Sequence, residues 1–234
     1  MTVIQGAVGT ATSRGPRREV NADAHALAVH GGVTAVAVVD GTGSTPEVAD
    51  FARVAATVAV GVAARRFSPV LGVVAAGEVY GDPVAGSARP DGAIVVAAAA
   101  AGRYWRIAWA GDSAAYGLKD DGTLHRFTTP HTQGQLLRDQ GADEQEARGH
   151  DHQLLHSLGG VPVGGVEATE AVARLLVLAS DGLTLPDDEF LALLADHGHE
   201  PQTCAERLVT ASRKHSADDI TVVVIPHPDT QEGR

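Results

Sequence analysis

Cysteine is almost missing from this chain, with Cys204 the one example in 234 residues. That rules out a disulfide framework and a thiolate zinc site, and it fits a reducing compartment. Cys204 itself reads as a small buried side chain. Aromatic residues are scarce at 4%, against 44% hydrophobic and 20% charged residues overall. Basic charge is also short. Eighteen Lys and Arg face 29 Asp and Glu for a formal charge of −11, so the positive footprint that nucleic acid or anionic lipid would need is missing, and cations are the natural counter-ions. The longest apolar runs, 54–64 and 93–101, fall short of the ~20 residues that span a bilayer. No cationic-then-apolar leader opens the chain. The expectation is a cytoplasmic protein with neither membrane nor nucleic acid as partner. Length and composition suit one folding unit with a real core over 1–225. A tail, 226–234, rich in Pro, Asp, Gln and Gly, is expected to be unstructured.

Runs 33–39, 104–109, 175–179 and 220–225 read as strands, with 94–101 a fifth, because most of their positions are β-branched, aromatic or otherwise apolar. The first, third and fourth are apolar at nearly every position, which requires both faces of the sheet to be covered. Thr45-Pro46-Glu47 supplies a cap, a first-turn proline and an acid at the positive end of a helix reaching about Arg66. Further helices are predicted over 132–140, 143–148, 187–197 and 201–215. Segment 69–80 is a weaker helix signal because Gly72 and Gly77 interrupt it.

The aspartates stand where strands end. Strand 33–39 runs into Asp40-Gly41, 104–109 into Gly111-Asp112, and 175–179 into Asp181-Gly182, while Asp218-Asp219 opens 220–225. If the last strand is antiparallel to its neighbours, these carboxylates converge on one edge. A single Asp-Gly after a strand is ordinarily a turn. Four such positions, with Asn21-Ala22-Asp23 upstream, ask for more. Carboxylates held together repel unless protonated or neutralised, and hard oxygen-seeking Mg²⁺ or Mn²⁺ is the simplest partner. Glycine after Asp40 and Asp181 would let backbone approach such an ion.

In order, the segments 18–23 (Arg-Glu-Val-Asn-Ala-Asp), 39–43 (Val-Asp-Gly-Thr-Gly), 110–116 (Ala-Gly-Asp-Ser-Ala-Ala-Tyr), 179–183 (Ala-Ser-Asp-Gly-Leu) and 218–221 (Asp-Asp-Ile-Thr) resemble the signatures of the metal-dependent type 2C, or PPM-type, Ser/Thr protein phosphatases of bacterial type. Segment 141–159 is similar to the family's flap and the stretch of chain just after it. The resemblance implies an α+β fold, a four-layer αββα sandwich of two packed antiparallel sheets flanked by helices. It also implies hydrolysis of phospho-Ser/Thr in a phosphoprotein by metal-activated water. Asp40 matches the carboxylate bridging two Mn²⁺ or Mg²⁺ ions, Gly41 the carbonyl on the second, and Asp181 and Asp218 the other carboxylates of the first. Asp112 matches an aspartate that, with Asp181, holds a looser third ion. Arg18 matches the arginine gripping the phosphate, a role its planar guanidinium suits.

Three departures stand out. The family's usual glutamate is Ala22 here, which takes a carboxylate from the second metal; Asp219 replaces an asparagine; and Asp91-Gly92-Ala93 replaces a small Thr-rich patch. Asp23 and Asp219 are expected near the site without an assigned ligand role. His150-Asp151-His152 lacks a third ligand at fixed spacing and reads as a solvated loop. His25 and His131 are candidate proton donors to the leaving oxygen. Two other functions compete. A haloacid-dehalogenase-like hydrolase would need an aspartate where Val38 stands. A catalytically silent, partner-binding phosphatase-like domain is suggested by Ala22, whereas the presence of Asp40, Asp112, Asp181, Asp218 and Arg18 together favours activity.

Overall fold

The computed structural model describes residues 8–80 and 89–231. In chain order the elements are β1 (Gly9–Ser13), β2 (Asp23–His30), β3 (Val33–Gly41), α1 (Pro46–Arg66), α2 (Pro69–Tyr80), β4 (Gly92–Ala100), β5 (Trp105–Ala110), β6 (Ala114–Leu118) and β7 (Leu124–Arg126). They continue with α3 (Gln133–Asp139), α4 (Glu144–Arg148), α5 (Val161–Gly164), β8 (Glu167–Ala171), β9 (Leu175–Ala179), α6 (Asp187–His197), α7 (Pro201–Ser212) and β10 (Ile220–Pro226). Among the described residues, ten strands form two five-stranded antiparallel sheets, ordered β1-β10-β9-β6-β7 and β2-β3-β4-β5-β8. With α1 and α2 on one sheet and α6 and α7 on the other, the result is the four-layer αββα sandwich.

The uninterrupted apolar strands are explained by their two faces. In β3, Ala35, Ala37 and Val39 pack under α1 and α2, while Val36 and Val38 point into the inter-sheet core with Trp105, Trp109, Leu176, Leu178 and Val223. In β9 the same inter-sheet face carries Leu176 and Leu178, and Leu175, Val177 and Ala179 meet α6 and α7 at Phe190, Leu194 and Leu208. Alanine fills much of the layer beneath α1 and α2, where large side chains would hold the layers apart. The interruption at Gly72 serves that closeness: a Cβ there would sit 2.5 Å from the Ala59 carbonyl oxygen and 3.1 Å from the Ala63 Cβ of α1. Helix α2 is therefore continuous through a residue of poor helix propensity.

Helix α1 begins as its sequence requires, with the Thr45 hydroxyl accepting from the Val48 N–H at 3.4 Å and Pro46 in the first turn. It ends at Phe67 in the left-handed region, φ 48°. The Arg106 guanidinium holds that cap, donating to the Phe67 carbonyl at 2.9 Å and lying 4.5 Å from the Phe67 ring centroid. The C-terminal helix stops at Ser212, not 215. The tail expected from 226 onward is ordered at its start: Pro226 closes β10, the His227 ring meets Trp105 edge-on at 5.4 Å, and Asp229 accepts from the Gly102 N–H at 2.7 Å. Residues 232–234, and 1–7 at the other end, lie outside the described residues. Among the described residues no helix is long and apolar enough to cross a membrane.

Candidate active site

Strand direction brings the aspartates together. Strands β3 and β5 both run antiparallel to β4, so their C-terminal ends share an edge with the start of β4. In the other sheet β9 ends at that same edge, where its antiparallel partners β6 and β10 begin. The segment from β5 to β6 passes between the sheets there and carries Asp112. Asp23, at the start of β2, is in register with Asp40. One sheet thus supplies Asp23 and Asp40, the other Asp181, Asp218 and Asp219.

These groups interact strongly. Asp40 accepts from the Asp181 N–H at 3.4 Å, and loss of water followed by repulsion from Asp23, Asp181 and Asp112 pushes its carboxyl well above the ordinary range. Burial, with Asp181 beside it, raises Asp112 to about 7. Burial likewise raises Asp23 to about 7, against the hydrogen bond it accepts from the Ser180 hydroxyl at 2.7 Å. Ser180 is fixed in turn by accepting from the Thr221 N–H at 2.9 Å. The second Asp23 oxygen is buried with no partner among the described residues.

Arg18 and Asp218 face each other across this edge as an ion pair, and Arg18 also donates to the Gly43 carbonyl at 2.9 Å. Asp218 is anchored from behind: Arg213 donates to the carbonyls of Asp218 at 2.6 Å and Ser13 at 2.7 Å. Among the described residues no three carboxylate, imidazole or thiolate side chains are clustered to hold one ion as they stand; Asp218 is turned to Arg18. The donor set nevertheless fits a hard divalent cation, being all carboxylate and carbonyl oxygen, mutually repelling, with one buried carboxylate oxygen unsatisfied.

Other expectations meet specific geometry. Asp219 is buried and structural, accepting from the Gly15 N–H at 2.7 Å and the Ala22 N–H at 2.8 Å, so its charge ties the N-terminal loop to β10. Ala22 is 1% exposed, its carbonyl receiving the Gly41 N–H at 3.2 Å. The glycines beside the aspartates are required by packing: a Cβ on Gly41 would lie 2.5 Å from Val48 Cγ1, and one on Gly182 would overlap the Asp219 carbonyl. His131 is not free to reach a leaving group, since Nδ1 accepts from the Gly111 N–H at 3.1 Å and Nε2 lies 3.3 Å from Glu167. His25 sits within β2 opposite Val38. Asp151, between the two flap histidines, is no loose loop residue. Arg138 forks onto it at 2.6 and 2.8 Å. Asp91 accepts from the Ser157 hydroxyl at 2.6 Å and the Gly159 N–H at 2.8 Å, pinning the end of the flap. Ser180 and Arg213 escaped sequence reasoning, and Asp91 stood out only as a departure from the family's small patch; for Ser180 the signal was its place next to Asp181.

No family model matches the chain. A protein kinase and PP2C-like domain-containing protein of Arabidopsis thaliana is 42% identical over 55 residues, which is 22% of this chain and 8% of that relative's length. Among solved structures, the PPM Ser-Thr phosphatase MsPP of Mycobacterium smegmatis, in complex with cacodylate, is similar over 94% of this chain and 97% of its own, at 25% identity and a TM-score of 0.75. The S. agalactiae serine/threonine phosphatase covers 94% and 98% at 19% identity with a TM-score of 0.80. The catalytic domain of the phosphatase PstP, in complex with two manganese ions, covers 94% and 96% at 24% identity with a TM-score of 0.67.

Proposed function

We infer that this chain, which belongs to the PPM-type Ser/Thr phosphatases, is a metal-dependent phosphoprotein phosphatase whose domain spans 1–225 and works in the cytoplasm. The observation that carries this reading is the convergence of Asp23, Asp40, Asp112 and Asp181 from both sheets on one edge beside Arg18. Asp40, the Gly41 carbonyl, Asp181 and Asp218 would hold two Mn²⁺ or Mg²⁺ ions, and Asp112 with Asp181 a weaker third. When bound, such ions lower the pKa of water and offset charge on phosphoryl oxygens. Arg18 grips the substrate phosphate through two N–H groups, exchanging its bond to Asp218 for bonds to phosphoryl oxygens. Asp219, Arg213 and Ser180 keep the carboxylates in position. His131, with Nδ1 engaged, orients the Gly111-Asp112 turn and leaves protonation of the departing oxygen to solvent.

Hydrolysis of an aryl phosphate and of a phosphothreonine peptide, with and without Mn²⁺, tests the proposal. Mn²⁺-dependent turnover of both is the expected result. No turnover at any Mn²⁺ concentration would overturn it in favour of a silent, partner-binding domain.

A further inference from the structure

A cavity of about 550 Å³ opens beside Asp112 and Asp181, and three arginines line it: Arg126, Arg138 and Arg148. Two of them are spent inside the flap. Arg138 binds Asp151 and also Glu144, at 2.9 and 3.1 Å, while Arg148 donates to Glu144 at 2.8 Å. Arg126 differs. Among the described residues it has no carboxylate within ion-pair distance; its hydrogen bond is a long one, 3.4 Å, to the Asp112 carbonyl, and its guanidinium carbon lies 5.6 Å from the Tyr116 ring centroid. A guanidinium backed by an aromatic face with most of its five N–H donors unspent is built to take a planar or tetrahedral anion.

Position gives that anion a source. Asp181 and Thr184 line this cavity and also a second one of about 420 Å³, whose wall includes Arg17, Arg18 and Asp218. A phosphoresidue held at Arg18 therefore lies next to a path over Asp181 to Arg126. We propose that Arg126 is a specificity-determining residue that binds a second anionic group, a carboxylate or a phosphate, on the residue flanking the phosphoresidue of the substrate. The proposal rests on the phosphatase reading. On a chain of charge −11, a guanidinium with no carboxylate within ion-pair distance among the described residues is a local exception at the substrate's path.

The test compares kcat/KM of the Mn²⁺-loaded protein for three phosphothreonine peptides, flanked by alanine, by glutamate or by a second phosphothreonine, with an aryl phosphate beside them. The flanked peptides should exceed the alanine peptide by roughly fivefold or more, mostly through KM, and the ratio should shrink as salt is raised. Which flanked peptide gains more separates carboxylate from phosphate as the natural anion. The ratio should fall toward one in Arg126→Ala, survive in part in Arg126→Lys, and drop below one in Arg126→Glu. A ratio near one in the unaltered protein, or one that Arg126→Ala leaves unchanged, overturns this proposal while the phosphatase reading stands. Absence of turnover on every substrate, aryl phosphate included, overturns both.

Discussion

Ala22 is where a single residue weighs most on the site. Its side chain is buried beside Gly41, so no carboxylate reaches the edge from β2 except Asp23. With one acidic ligand fewer, a second ion on the proposed site would be held weakly, and activity should need high Mn²⁺ or Mg²⁺. Ala22→Glu should lower the metal concentration for half-maximal activity and, because it buries a charge, lower the melting temperature without metal; calorimetric titration and thermal melts of both forms check this. Arg18→Ala should raise the KM for phosphopeptide by roughly tenfold, the scale of one charge-assisted bidentate contact. Calorimetric Mn²⁺ affinity should change less. Asp219→Asn, although it installs the family's usual residue, should destabilise by about 1–2 kcal/mol, because one of the two N–H groups from Gly15 and Ala22 would then face an amide NH₂. Equal denaturation midpoints would refute that. The aspartates were legible in the sequence because each stands beside a strand end, whereas Arg18, midway between β1 and β2, was singled out only by the resemblance to the phosphatase signatures. Asp219's role was not legible, since its partners lie about 200 positions away.

At the level of elements, legibility followed burial. Strands β3, β9 and β10 are apolar on both faces and declare themselves, but β2, β6 and β8 do not. Strand β2 alternates alanine with exposed His25, Leu27 and Val29, β6 carries Gly117 where Phe127 and Ala173 leave no room for a Cβ, and β8 is a short acidic edge strand. Each is shaped by a neighbour that single-strand patterning does not register. Glycine within helices obeys the same logic and can be tested in pairs. Gly72→Ala should destabilise by about 1–3 kcal/mol through overpacking against α1. Gly61→Ala, within α1 and with open space where its Cβ would go, should stabilise by about 0.5–1 kcal/mol. Chemical denaturation of the two variants, on one scale, reads out both.

The whole molecule carries the electrostatic strain of its acidic edge. Asp23 and Asp112 titrate near 7 in the folded protein against 3.8 ordinarily. Between those values the folded chain retains protons that the unfolded chain has released, so metal-free stability should fall as pH rises through about 4 to 7. Melting at pH 5 should therefore exceed melting at pH 8 when a chelator is present, and added Mn²⁺ should raise the midpoint more at pH 8 than at pH 5. A midpoint that rises with pH in chelator would contradict this.

Strand β10 lies between β1 and β9, so among the described residues the first and last strands are hydrogen-bonded neighbours, Thr10 opposite Val223, with Ala179 of β9 opposite Val222 on the other side. During synthesis, Asp23, Asp40, Asp112 and Asp181 all leave the ribosome before the strand that closes their edge, and Asp218, Asp219 and the seat for β1 arrive last. A growing chain thus holds Asp23, Asp40, Asp112 and Asp181 before the strand that joins β1 to β9. On the phosphatase reading proposed above, the edge that would hold the ions is complete only once β10 lies between β1 and β9.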